Sequence, residues 1–371
     1  MSSRVRVLHE WMRQVETLLP GTRVTRARVL ALFAAGVLWA NAVTLLKVAA
    51  TLPLPAADPS IERRLTRFLT NPQVTVAALW APLLPALLRG LGGRELLLVF
   101  DPTPYRGDAT ILVVGVVVRH RVLPLLWRVV PQQAPWPAPL GAILEPMLRT
   151  IAAAVPPGTA ATLLVDRGLV GPAVLDAARA AGFHVVLRLR AGAKEGTRVR
   201  LGDGPERRVA DLPTGPGQRL AGPAAIFKDA GWREGFLTIH WDRQAEEPWV
   251  LFSDRLAGPA RVREYRRRAR AEATYQDEKS RGFDLEASKV AALDRIERLL
   301  LPVHLALWWA SGLGLYVVRS GQRRRFDRPD RRDLSMLRLG RTACADALDR
   351  DHRPPLPFRR TPLGWTFRWL T

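Results

Sequence analysis

Three apolar stretches decide the fold: ELLLVFD at 95–101, TILVVGVVV at 110–118 and RVLPLLWRVV at 121–130. Each is rich in aliphatic and β-branched residues, and short polar or glycine-containing segments separate them. Runs of this length and composition, bounded by turn residues, are typical of buried strands. We therefore predict three consecutive strands joined by short turns.

Strands and helices alternate after these three runs. We predict a helix at 139–154, a strand at 161–166, a helix at 172–182 and a strand at 184–190. Hairpin strands followed by βαβ units predict an α/β fold with a mixed sheet and flanking helices.

Changes in composition divide the chain into five segments. The first is helical in pattern, the third has short alternating pieces between Gly-rich turns, and the last is rich in Arg and Pro. We predict an α-helical N-terminal region at 1–92, a core at 93–190, a β-rich insertion at 191–248, the rest of the core at 249–318, and a basic, loosely packed C-terminal extension at 319–371.

The charge of the chain indicates a polyanionic partner. Its 371 residues include 56 Lys and Arg against 34 Asp and Glu, a formal net charge of +22, while 48% hydrophobic residues suffice for a large core. Disorder is therefore excluded as a description of the whole chain. Because Arg supplies nearly all of the cations, the charge fits bidentate phosphate contacts, but codon bias in a GC-rich genome would give the same excess.

Cysteine and histidine usage excludes two kinds of site. Cys344 is the single cysteine, so there is no disulfide framework, and the six histidines are scattered without zinc-ligand spacing. Any metal would therefore be held by carboxylates. Residues 1–22 lack the apolar centre of a signal peptide, and we expect a cytoplasmic protein.

Two uncharged apolar stretches, 29–46 and 299–318, meet the length criterion for a membrane span. Asn41 interrupts the first, and Pro302 and His304 interrupt the second. We predict buried core helices, with a membrane protein as the alternative.

A basic helix is predicted to begin at Ser60, as its N-cap, and to continue through IERRLTRFL. Arg63, Arg64 and Arg67 fall on one face of this helix. The face is either simply solvated or a contact for the DNA backbone.

Two aspartates end predicted strands: Asp101 closes the first run, and Asp166 closes the strand at 161–166. If those strands lie side by side, the two carboxylates face one crevice and could bind a divalent cation. Each aspartate could instead be a turn or cap residue.

A further carboxylate lies in a predicted helix at 261–279, which contains the spaced set Tyr265, Arg268, Glu272 and Lys279. Steps of three, four and seven place all four side chains on one helix stripe. One carboxylate among an Arg, a Lys and a Tyr is a poor core face. The stripe suits a metal ligand surrounded by phosphate contacts.

These motifs together give the chain a likeness to a known family. It resembles the DDE transposases of bacterial insertion sequences, in the IS-four branch with its Tyr-Arg-Glu-Lys signature. The resemblance covers most of the chain and is carried by SIERRLTRFLTNPQV (60–74), Asp101-Pro-Thr103, VDRG (165–168) and YRRRARAEATYQDEKSRGFDLEAS (265–288). Ala269, Ala271 and Tyr275 depart from the pattern, because many members have Trp, an aliphatic residue and Phe there.

The resemblance implies an RNase H-like core that is interrupted by the insertion at 191–248. It implies that Asp101, Asp166 and Glu272 are the catalytic carboxylates and bind two Mg²⁺ ions, for which Mn²⁺ could substitute.

The same resemblance implies contacts with DNA. Tyr265, Arg268 and Lys279 would contact phosphates near the transposon end, and 1–92 would be a DNA-binding region. The partners would be the double-stranded DNA of transposon ends and of a target, bridged by a homodimer in the nucleoid, with no membrane involved.

The chemistry of three carboxylates agrees with this assignment, because they can hold two hard cations for an in-line displacement at phosphorus. We predict a transposase that nicks the ends of its element by hydrolysis and then joins the freed 3′-hydroxyl to a target. The alternatives are a metal-dependent nuclease or domesticated relative without strand transfer, and a non-enzymatic DNA-binding protein whose carboxylates are turn residues.

Overall fold

The structure is a computed structural model, and it describes most of the chain. The described residues are 2–133, 135–191, 197–212, 214–278, 282–330 and 332–368. Lys279, one of the predicted phosphate contacts, lies outside them.

The N-terminal region is helical, as predicted. Its helices are α1 (Ser3–Leu18), α2 (Val24–Ala40), α3 (Leu45–Thr51), α4 (Asp58–Thr70), α5 (Val76–Leu79) and α6 (Leu84–Arg89). The predicted N-cap is wrong, because α4 begins at Asp58 and Ser60 lies inside its first turn. An acid and a proline suit that turn, since the carboxylate meets the positive end of the helix dipole and proline has no N–H to leave unpaired.

The central sheet confirms the predicted mixed α/β architecture. Its strands are β1 (Leu96–Tyr105), β2 (Ala109–Val118), β3 (Arg121–Pro131), β4 (Ala161–Val165), β5 (His184–Arg188), β6 (Arg198–Leu201), β7 (Glu206–Arg208), β8 (Arg219–Ile226), β9 (Arg233–His240) and β10 (Trp249–Ser253). Two helices, α7 (Leu140–Ala152) and α8 (Pro172–Ala180), connect β3 to β4 and β4 to β5. The β1–β4 and β4–β5 pairs are parallel, and the other pairs are antiparallel.

The β-rich segment at 191–248 extends this same sheet. The strand order is β3-β2-β1-β4-β5-β10-β9-β8-β6-β7, so the strands of the segment join the core through the pairing of β9 with β10. Sheet hydrogen bonds therefore continue across the predicted domain limit at 249.

A second set of helices follows the sheet. They are α9 (Pro259–Arg266), α10 (Arg270–Glu278), α11 (Leu293–Arg319), α12 (Arg323–Phe326) and α13 (Met336–Asp349), and a hairpin of β11 (Phe358–Thr361) and β12 (Gly364–Phe367) ends the described chain. The single helix predicted at 261–279 is wrong, because a short 3₁₀ turn at Arg267–Ala269 separates α9 from α10.

The long apolar helix α11 is a core helix. It meets the length and composition criteria for a membrane span, but 89% of its most apolar 18-residue window is buried inside the protein. The other apolar stretch is broken, because α2 and α3 meet at an angle of 92°.

Side chains of the core also cover the edge strand β3, since the indole N–H groups of Trp80 and Trp308 donate to its backbone carbonyls at 2.6 and 2.8 Å.

The C-terminal extension packs tightly against the core, and the expectation of loose packing is wrong. Helix α13 lies against α11. In the hairpin, Phe358 is buried beside Trp11 and Phe367 is buried beside Trp308. Aromatic residues in a basic tail explain this result, because their apolar area is large enough to hold the segment on the core.

Two glycines set the distance between α11 and α13. A Cβ atom at Gly340 would lie 1.8 Å from the carbonyl oxygen of Ala310, and one at Gly314 would lie 2.0 Å from that of Met336. We expect Gly340→Ala to lower the free energy of unfolding in urea by about 1–3 kcal/mol, because the helices must separate. Gly21→Ala is the matched control, because nothing lies within 4 Å of its new Cβ; equal effects of the two substitutions would contradict this packing.

Candidate active site

The two aspartates are brought together by strand register. Asp101 does not end a strand, contrary to the prediction, because β1 continues to Tyr105 and pairs Asp101 with Val113 of β2. The parallel partner β4 does end there: its last pair is Val165 with Phe100. Asp101 and Asp166 are therefore the next residues of two neighbouring parallel strands, on the same face of the sheet.

An arginine lies between the two carboxylates. The Nη2 atom of Arg268 is 2.5 Å from Oδ1 of Asp101 and 3.4 Å from Oδ2 of Asp166. The hydroxyl of Tyr265 donates to the other oxygen of Asp166, Oδ1, at 2.8 Å. Asp101 is 5% exposed and Tyr265 is 3% exposed, so most of this cluster is shielded from water.

The break between α9 and α10 explains how Tyr265 and Arg268 reach the same carboxylate. In a 3₁₀ turn, side chains three residues apart lie above one another instead of being offset as in an α-helix. Arg268 lies in the turn at Arg267–Ala269, three residues after Tyr265 of α9, and both side chains contact Asp166.

Glu272 lines the same cleft. The cleft has a volume of ≈ 470 Å³, and its lining includes the carboxylates of Asp101, Asp166 and Glu272. Its other lining residues are Pro102, Thr103, Pro104, Gly168, Leu169, Arg268, Tyr275 and Gln276. Within the described ranges, no three His, Cys, Asp or Glu side chains form a group that could hold a metal ion as they stand.

The electrostatics of the two aspartates differ. Burial raises the pKa of Asp101 above its ordinary value, and the neighbouring Arg268 only partly opposes this. Burial would also raise the pKa of Asp166, but Arg268 and the Tyr265 hydroxyl together hold that pKa below its ordinary value. Burial and the nearby Asp166 raise the pKa of Tyr265, so its hydroxyl stays protonated and remains a donor.

Tyr275 adds a contact that phenylalanine would not make. Its hydroxyl lies 3.4 Å from the backbone carbonyl oxygen of Asp101, and its ring lines the cleft beside Gln276. The tyrosine therefore places a hydroxyl next to the backbone of Asp101.

Buried acids at the end of α10 were not singled out by the sequence. Asp277 accepts from Nε of Arg121 at 2.7 Å, and Glu278 lies 3.4 Å from Nε2 of His304. His304 is 1% exposed and packs edge-on against Trp127. The sequence carried no signal for this burial, because Asp and Glu side chains in a charged segment normally face water.

The arginines of α4 lie on an exposed face, as predicted. Arg63, Arg64 and Arg67 are exposed, whereas Ile61 and Leu65 of the same helix are buried. None of these three arginines lines the cleft.

Comparison with protein-family models and with curated proteins finds no match for this chain. A functional assignment therefore depends on the residues of the cleft and on the resemblance of their spacing to the transposase signature.

The ion pair formed by Asp277 and Arg121 anchors the end of α10 to β3. We expect Arg121→Leu to lower the free energy of unfolding by about 3 kcal/mol, because Asp277 is left buried without its charged partner. The double variant with Asp277→Leu should recover part of the loss, and urea unfolding of the four proteins gives the coupling. Strictly additive effects would show that the two side chains do not interact.

Proposed function

We propose that this chain is a DDE-type transposase that cuts and joins DNA at the ends of a mobile element by two-metal phosphoryl transfer. The observation that carries the proposal is the shared cleft of Asp101, Asp166 and Glu272, with Arg268 and Tyr265 bound to the aspartates. The two reactions are hydrolytic nicking at the end of the element and attack of the freed 3′-hydroxyl on a target.

The donor set of the cleft fits hard divalent cations. Asp101, Asp166 and Glu272 offer only carboxylate oxygens, the ligands that Mg²⁺ and Mn²⁺ prefer. These three residues would hold two ions, which would activate a water or 3′-hydroxyl and stabilise the leaving oxygen. The burial of Asp101 favours the fit, since a shielded carboxylate needs a cation to remain ionised.

The other residues of the site bind and orient. Tyr265 fixes one oxygen of Asp166 by a hydrogen bond, which sets the rotation of that carboxylate. Arg268 carries a positive charge into the cleft, where a scissile phosphate would lie, and exposed Glu272 approaches from α10. No nucleophilic side chain is required, because the nucleophile is a water or a hydroxyl of DNA.

The fold supports the finer assignment of an RNase H-like core. Antiparallel β1–β3 are followed by parallel β4 and β5, helices connect them, and the β-rich segment at 191–248 interrupts the chain before α9 and α10 return to the cleft. In the proposal, 1–92 binds DNA, 93–190 and 249–318 form the core, and 319–371 is a basic extension.

The charge of +22 supports DNA as the partner. We include in the proposal a homodimer that bridges two transposon ends, and a location in the bacterial cytoplasm at the nucleoid.

The three carboxylates provide the first test. We expect Asp101→Asn, Asp166→Asn and Glu272→Gln each to abolish Mg²⁺-dependent nicking, because each removes the negative charge of a metal ligand. DNA binding should persist, because the substituted side chain keeps its size and shape. Nicking of supercoiled plasmid and gel-shift titration measure the two properties, with Glu246→Gln, an exposed acid outside the cleft, as the control. Normal nicking by any one of the three variants would exclude the assignment, and nicking without joining of precleaved ends would identify a nuclease instead.

The basic face of α4 provides the second test. Replacing Arg63, Arg64 and Arg67 together by Gln should reduce the slope of log affinity against log salt concentration by about 0.9 for each DNA phosphate that these arginines neutralise. The matched control replaces the same residues by Lys, which keeps the charge and should keep the slope. Equal slopes for the Gln variant and the unmodified protein would show that this face is only solvated.

A further inference from the structure

Arg268 occupies the position between the carboxylates where a cation would be held. Its Nη2 atom contacts oxygens of both Asp101 and Asp166, and its side chain is only 16% exposed. Tyr265 contacts a different oxygen of Asp166. Removal of the guanidinium would therefore free Oδ1 of Asp101 and Oδ2 of Asp166 without disturbing the hydrogen bond from Tyr265.

The guanidinium is held incompletely. Its Nε atom is buried and has no hydrogen-bond partner among the described residues, and both contacts to the aspartates use the single atom Nη2. A permanent structural arginine of this kind usually forms a bidentate fork with its carboxylate. The described contacts therefore hold the guanidinium through one atom, and Nε would gain a partner only if the side chain turned towards an anion in the cleft.

A divalent ion and this guanidinium cannot both occupy the position between Oδ1 of Asp101 and Oδ2 of Asp166. Like charges a few ångströms apart repel strongly where water is excluded. An ion bound between Asp101 and Asp166 must therefore move Arg268 away, and a DNA phosphate in the cleft would receive it.

We propose that Arg268 is an internal counter-cation that competes with the metal ions for Asp101 and Asp166 and transfers to a DNA phosphate, so that metal binding and DNA binding favour each other. This inference rests on the proposed function, because it concerns the same cleft. Thermodynamic linkage requires the coupling to be reciprocal: DNA raises the affinity for metal by the factor by which metal raises the affinity for DNA.

The test is the affinity of the full chain for Mn²⁺ alone, measured from the electron paramagnetic resonance signal of the free ion. Without DNA, Arg268→Gln should bind Mn²⁺ on the order of tenfold more tightly than the unmodified protein, because the competitor is removed. Arg267→Gln is the matched control: it removes an equal charge from the neighbouring, exposed position and should leave the affinity unchanged.

The second arm adds a random-sequence DNA duplex, because phosphate contacts do not depend on sequence. The duplex should tighten Mn²⁺ binding by the unmodified protein by a similar factor and should have little effect on Arg268→Gln. Manganese bound by DNA itself is measured with the double variant Asp101→Asn, Asp166→Asn. The comparison of the unmodified protein with and without the duplex does not require Arg268→Gln, so it tests the inference even if that variant fails to fold.

The outcomes separate the inference from the proposed function. If Mn²⁺ binds through Asp101 and Asp166, but neither Arg268→Gln nor the duplex changes its affinity, the counter-cation role is overturned and the metal site stands. If no Mn²⁺ binding depends on the two aspartates, with or without DNA, both are overturned.

Discussion

The candidate site depends on the in-register parallel pairing of β1 with β4. Their last pair, Phe100 with Val165, places Asp101 and Asp166 side by side on one face of the sheet. A slip of one residue would turn one of these side chains to the opposite face. The two carboxylates repel each other and are partly shielded from water, so a positive charge must accompany them, and Arg268 supplies it.

The segment that supplies Arg268 must be placed within hydrogen-bonding distance of that pair. The 3₁₀ turn at Arg267–Ala269 contains the arginine, and the far end of α10 is held by the buried ion pair of Asp277 with Arg121. The buried acids around this segment thus have two roles: Asp101 and Asp166 in the cleft face Arg268, and Asp277 at the end of α10 fixes the helix that approaches them. The basic excess lies largely on the surface, where the proposed function needs it.

The strands and the core helices could be predicted from the sequence because their signal is local. Apolar β-branched runs such as 110–118 can hardly be anything but buried strands, and α11 is uniformly apolar. The errors have non-local causes. Strand β1 runs past Asp101 because β2 continues to pair with it. The C-terminal hairpin is packed because Phe358 contacts Trp11 and Phe367 contacts Trp308.

The sequence by itself determined the mixed α/β class, the order of strands and helices, and the residue types that could bind metal and phosphate. It also identified the Tyr265, Arg268 and Glu272 spacing, because spacing is read directly along the chain. Only the tertiary structure decided that Arg268 stands between the two aspartates and that Glu272 shares their cleft. The reason is physical: these groups are distant in sequence, and strand register and the helix break, which no local pattern encodes, set the distances between them.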